Sequence, residues 1–155
     1  MDTQRLKKFL SLLLSIAPQS IHANVLGEHG DTQIVQWSTA TIDTIPLTFF
    51  PQITESIRHD LELQTKNAVY EIISCKGATF FGIATCTATL CQAIFLDQKL
   101  VFPLSCYLQE LGVCLSIPVV LGAKGILQYI PLSLSPHEQE RFLQSAKTLQ
   151  QLNFI

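Results

Sequence analysis

An α+β domain is the fold class this sequence predicts, and three observations lead there. Helical periodicity marks both ends and the middle of the chain. Short apolar runs broken by proline and glycine lie between, and no strand–glycine-loop–helix unit recurs. The 155 residues contain no internal repeat, low-complexity tract or long linker, so one domain with one core is expected over 1–155.

The first element is expected to be a helix over 3–17. Leu6, Phe9, Leu10, Leu13 and Leu14 recur at spacings of three and four, and Pro18 is the stop. The same helix puts Asp2 and Arg5 one turn apart on one side. A competing reading takes Arg5, Lys7 and Lys8 before the apolar run as a short signal peptide, with Ala23 as a cleavage position. The run is too short to span a membrane, and the helix is preferred. Ile21 to Leu26 reads as a strand, Gly27 to Asp31 as a turn, and Thr32 to Thr39 as a second extended piece. Residues 40–53 hold two prolines and no clean period. A helix follows, with Ile57, Leu61, Ala68 and Ile72 on one face and Gly77 just beyond its end.

Ala78 to Asp97 reads as another helix. Its small residues Gly82, Ala84, Thr85, Ala88, Thr89 and Ala93 suggest burial nearly all round. Residues 100–106, 113–121 and 125–132 suit strands, with a turn at Gly122-Ala123-Lys124-Gly125. Ser135-Pro136-His137-Glu138 is a capping box with proline first. The helix behind it should run to about Gln150, with Phe142, Ala146 and Leu149 inward.

Composition narrows the function. Hydrophobic residues make up 48% of the chain, which excludes a disordered one. Charged residues make up 14%, against a usual share of about 25%, so faces meant for another domain or subunit are expected. Ten basic and twelve acidic residues leave no basic excess for a phosphate backbone, which argues against a nucleic-acid binder. The five cysteines are odd in number and never spaced C-x-x-C. Neither a disulfide scaffold nor a metal site is expected, and buried reduced thiols in a cytoplasmic protein are.

Four histidines are candidates for chemistry. His59 and His137 fall on polar helix surfaces, and His22 in an apolar strand, where a core or interface histidine is the default. His29 differs. It lies in a tight turn between Gly27 and Gly30, beside Glu28 and Asp31, and glycines let a backbone bring a side chain close to a ligand. Histidine is also the side chain that exchanges protons near neutral pH.

Gly27-Glu28-His29-Gly30-Asp31-Thr32, followed by Trp37-Ser38, closely resembles the active-site histidine motif of L-lactate dehydrogenases. Met1-Asp2-Thr3-Gln4-Arg5-Leu6 is similar to the family's Leu-Asp-Thr-Ala-Arg-Phe segment. Ala68 to Ile73, then Lys76 to Ala84, are similar to the bacterial form. So are Ser116 to Gly122, Gly125-Ile126 and Ser145 to Leu149, so the resemblance runs through the whole chain in order.

The resemblance implies the C-terminal catalytic half of an oxidoreductase that interconverts pyruvate and L-lactate with NAD. His29 would exchange the proton, Asp2 would hold its ring, and Arg5 would grip the carboxylate with a fork that lysine lacks. Thr79 would be a substrate-pocket hydroxyl and Ile83 an apolar contact of the nicotinamide. Fructose 1,6-bisphosphate-activated bacterial members carry an arginine and a histidine at a subunit-interface anion site. His22 falls on that histidine and Lys7 where the arginine would be. The glycine-rich dinucleotide fingerprint of the family's Rossmann half is not in this sequence, nor is its mobile specificity loop. The expected partners are therefore a small 2-oxo or 2-hydroxy acid, a Rossmann segment and further copies of the chain, with no membrane. Asp2 would sit at a terminus where fraying is expected, and the segment Leu108 to Val113 would be shorter than the family's loop. Glu28 and Trp37 lean toward lactate. A malate or branched hydroxy-acid dehydrogenase half, a non-catalytic remnant or assembly module, and a secreted protein stay open.

Overall fold

The structure, a computed structural model, describes residues 1–152. Its first helix, α1, spans Asp2–Leu14, and β1 (Ile21–His22), β2 (Val25–Leu26), β3 (Ile34–Val35), β4 (Thr41–Ile42) and β5 (Ile45–Pro46) follow as two-residue strands. Two long helices come next, α2 at Glu55–Lys76 and α3 at Phe81–Phe95. An antiparallel meander of β6 (Leu100–Leu108), β7 (Val113–Gly122) and β8 (Gly125–Tyr129) leads to α4 (Pro136–Gln151).

α1 stops three residues before the expected boundary. Ser15 adopts a left-handed conformation at φ 54°, so the chain has left the helix before Pro18, which instead opens a short 3-10 turn. Leu6 and Leu10 are fully buried, Phe9 and Leu14 pack at the margin, and Leu13 faces solvent, so the apolar stripe is narrower than its spacing suggested. Each fully buried leucine contributes about 1.5–3 kcal/mol. They pack with Ile21, Val25, Val35, Trp37 and Leu61 in one core cluster.

The strand expected over 21–26 is two short ones. β1 pairs with β4 and β2 with β3, so the chain changes partner between His22 and Val25. In the meander Pro103 lies directly opposite Pro118. Two residues without N–H groups thus share a pair that needs none, and the Pro118 carbonyl accepts the Ile130 N–H from its other side. β8 ends at Tyr129, short of the expected 132. The inner face of this sheet, with Leu26, Ile34, Phe142 and Ala146, forms the second cluster. α4 carries the expected capping box, both arms present.

Two expectations of burial fail. α3 begins at Phe81 rather than Ala78, and Ala93 is its one buried residue, so its small-residue surface is open in this chain. Small side chains permit close approach without supplying a neighbour. On α2, Leu61 is buried but Ile72 is exposed, because the second half of the helix runs past the core. Cys106 alone among the five cysteines is buried; Cys75 and Cys114 are exposed, Cys86 and Cys91 half-buried, and all five are free thiols.

Candidate active site

The site begins at the start of α1. The Met1 carbonyl accepts the N–H groups of Gln4 and Arg5, so Asp2 lies inside a formed first turn. One turn on, Arg5 Nη1 donates to Asp2 Oδ1 at 2.8 Å. Thr3, between them, is buried, and its hydroxyl accepts the Val25 N–H at 3.0 Å. That bond fixes the rotation of α1 against β2, and with it the direction in which Asp2 and Arg5 point.

The turn that carries His29 follows β2 directly. Gly27 has φ 86° and exchanges two backbone hydrogen bonds with Ser116 of β7. Its freedom serves packing: a Cβ here would lie 2.7 Å from Ser145 Oγ. Glu28 closes the turn by accepting the Thr32 N–H at 2.9 Å. Lys66 of α2 pairs with Asp31 at 2.8 Å. His29 projects outward, and its Nδ1 lies 2.6 Å from Asp2 Oδ2. One carboxylate therefore holds a guanidinium with one oxygen and an imidazole with the other. Asp2 and Arg5 side chains are 14% and 11% exposed, while that of His29 is 69% exposed.

Arg5 and Thr79 line one cavity of about 580 Å³, walled also by Met1, Phe80, Phe81 and Leu90. Asp2 and His29 are not among its lining residues; they stand behind Arg5, joined to it through the Asp2 carboxylate. His29, Asp2 and Arg5 thus form a chain of contacts that ends in the cavity Thr79 also lines, rather than four residues on one wall of it. Ile83 is 46% exposed on α3 and outside the lining.

Other candidates stand apart. Lys7 is half-buried on α1, and desolvation holds its ammonium below the usual lysine range. His22 is exposed on β1, not in the core, and neither joins an ion pair among the described residues. His59 and His137 are exposed, as their polar helix faces suggested. Trp37 lies in the core, its Nε1–H donating to Glu62 Oε1 at 2.7 Å, and Arg141 of α4 grips the same carboxylate. No group of three or more metal-ligating side chains occurs among the described residues, and none of their helices is long and apolar enough to cross a membrane.

Sequence reasoning missed Thr3 and Ser145. Thr3 carries no periodic signal. Ser145 sits three residues after Phe142 on the inward face of α4, and a small polar residue there was a legible sign of a buried hydrogen bond.

Fold and site together define an α+β domain in which one carboxylate holds both a histidine and an arginine. The chain belongs to the lactate/malate dehydrogenase family, whose alpha/beta C-terminal domain model matches residues 1–152. L-lactate dehydrogenase A of Rhizopus oryzae is 37% identical over 154 residues, 99% of this chain and 48% of that protein. The L-lactate dehydrogenase of Halalkalibacterium halodurans is 35% identical over 156 residues, 98% of this chain and 50% of that one. The crystal structure of the minor L-lactate dehydrogenase from Enterococcus mundtii matches with a TM-score of 0.92 at 33% identity, covering 97% of this chain and 51% of that chain. The chain spans about half the length of the curated relatives it matches.

Proposed function

We propose that the chain supplies the substrate-gripping, proton-exchanging half of an L-lactate dehydrogenase that interconverts pyruvate and L-lactate. The observation that carries this reading is the Asp2 carboxylate shared between His29 and Arg5. With Nδ1 committed to Asp2, Nε2 of His29 is the nitrogen left to meet a substrate oxygen. A protonated His29 gives Nε2–H to the keto oxygen of a 2-oxo acid, and the neutral ring takes the proton back from a 2-hydroxy acid. Asp2 holds the ring through the exchange. Arg5 keeps N–H groups beyond the one on Asp2, and their planar fork suits a carboxylate. Thr79 lines the same cavity as Arg5, and its hydroxyl is the substrate-bonding group in this reading.

NAD, when bound, supplies and accepts the hydride. Ile83, exposed on α3, would offer it an apolar contact, and no glycine-rich strand–loop–helix that would hold its phosphates is present among the described residues. A dinucleotide-binding segment and further copies of the chain are the partners we assign. The exposed Phe80, Phe81, Phe95 and Leu96 supply apolar surface for them. The curated relatives above are all named L-lactate dehydrogenases, which supports lactate over malate. Free thiols suit a cytoplasmic setting. The test combines the chain with a separately produced family Rossmann domain and follows NADH absorbance with pyruvate. Turnover that His29→Ala abolishes supports the reading; a folded complex with no turnover refutes it in favour of a remnant.

A further inference from the structure

We propose that Ser145, on the last helix, is a positioning residue for the His29 imidazole. The proposal rests on the reading of His29 as the proton-exchanging group. Ser145 is fully buried, and its Oγ accepts the backbone N–H of Glu28, the residue before His29, at 2.8 Å. The same oxygen occupies the space that a Cβ on Gly27 would need. Gly27 is tied in turn to Ser116 by a pair of backbone hydrogen bonds of 3.1 and 2.7 Å. The base of the turn is therefore clamped at two consecutive residues, by β7 at Gly27 and by α4 at Glu28.

His29 hangs from this base with one side-chain partner, Asp2. Asp2 is held by a different anchor, the Thr3–Val25 bond between α1 and β2. The 2.6 Å contact thus joins two groups held by different hydrogen bonds, 27 residues apart in sequence. A shift of about one ångström in either part takes such a contact out of hydrogen-bond range. Without the Ser145 hydroxyl the Glu28 N–H loses its acceptor, and among the described residues no other hydrogen bond joins α4 to the turn. The turn then moves toward other acceptors and carries the imidazole with it. Ser145 acts on the proton-exchanging group while its own hydroxyl is committed to the backbone.

The test reads the ¹⁵N and Nδ1-attached proton resonances of the His29 ring in the 155-residue chain, assigned by their loss in His29→Ala. Wild type is expected to show one tautomer, its Nδ1 proton protected by Asp2. In Ser145→Ala that proton is expected to exchange with water at least tenfold faster and the second tautomer to appear. Phe142→Leu, one turn earlier on α4, is the stability control: it lowers the melting temperature and leaves the ring spectrum unchanged. If Ser145→Ala does not fold, Ser145→Cys keeps the volume with a weaker acceptor and is expected to show the same change to a smaller degree. A wild-type ring spectrum in the folded Ser145 variant overturns the proposal, as does an equal disturbance in Phe142→Leu. Asp2→Asn separates the two readings. If it leaves the ring spectrum unchanged, the Asp2–His29 pair itself is absent and the functional reading falls with it. If Asp2→Asn changes the spectrum and the Ser145 variant does not, the role of Ser145 alone is lost.

Discussion

Asp2 Oδ2 lies 2.6 Å from Nδ1 of His29, a residue on another element and 27 positions away. The other oxygen of the same carboxylate holds Arg5. The imidazole and the guanidinium, proposed above to exchange the proton and to grip the substrate, are thus set by one side chain. A change at Asp2 moves both, whereas a change at Arg5 leaves the imidazole in place.

Arg5→Lys isolates the grip. The lysine keeps the charge and gives up the planar pair of N–H groups. One charge-assisted hydrogen bond is worth about 1.5–3 kcal/mol, so binding of oxamate, an isostere of pyruvate, is expected to weaken ~10- to 100-fold. Calorimetric titration of the chain combined with a family Rossmann domain measures this. An unchanged affinity shows that Arg5 does not contact the carboxylate.

Gly27→Ala and Gly112→Ala separate strain from collision. Both glycines have positive φ, 86° and 66°, and an alanine in either costs about 1–2 kcal/mol of backbone strain. The Cβ at Gly112 meets nothing within 4 Å, while the one at Gly27 comes within 2.7 Å of Ser145 Oγ. Gly27→Ala is therefore expected to lower the urea midpoint clearly more than Gly112→Ala. Equal midpoints in the two variants contradict the tight packing of the turn on α4.

Much of this arrangement is legible in the amino-acid sequence. Local rules sufficed where one element decided the outcome: the Ser135–Glu138 capping box, Gly77 at the end of α2, and the inward face of α4 are all as the spacing implied. They failed where neighbours decide. The small residues of α3 say that something can come close, not that this chain provides it. The strand over 21–26 divides because two different partners claim its ends. In the site, the Asp2–Arg5 contact follows from helical spacing, but the cavity shared by Arg5 and Thr79 depends on where α1 and α3 settle.

Glu138 makes the fold sensitive to acid. Burial pushes its carboxyl upward. The Ser38 hydroxyl, the backbone N–H groups of Ser135 and Ser38 and the Ser135 hydroxyl together outweigh this and hold it below its ordinary 4.5. A depressed folded-state value means stability that is fully present above about pH 4.5 and lost as pH falls through the folded value. Glu138→Gln is expected to be less stable than wild type at neutral pH by about 1 kcal/mol, the scale of one helix cap, or some 2–4 °C in melting temperature for a domain of this size. The gap should close as pH falls from about 4.5 through the folded value. A constant gap from pH 7 to pH 3 shows that the carboxylate charge plays no part.

Turnover separates what these residues do from what they need. The 155-residue chain by itself is expected to show no appreciable lactate dehydrogenase activity, although it carries His29, Asp2, Arg5 and Thr79. Hydride transfer requires the nicotinamide within van der Waals reach of the substrate carbon. Positioning of that kind lowers barriers by roughly 7–11 kcal/mol, about five to eight orders of magnitude in rate. Nothing among the described residues anchors a pyrophosphate, and the exposed His29 is open to water that a closed site excludes. Addition of a family Rossmann domain is expected to restore NADH oxidation by pyruvate. In that complex His29→Ala should cost ~10²–10⁴ in rate, the usual contribution of general acid–base catalysis. Ready turnover by the chain alone places a nicotinamide site among these 155 residues and overturns the division of labour. Restored turnover indifferent to His29→Ala keeps that division and removes His29 from the chemistry.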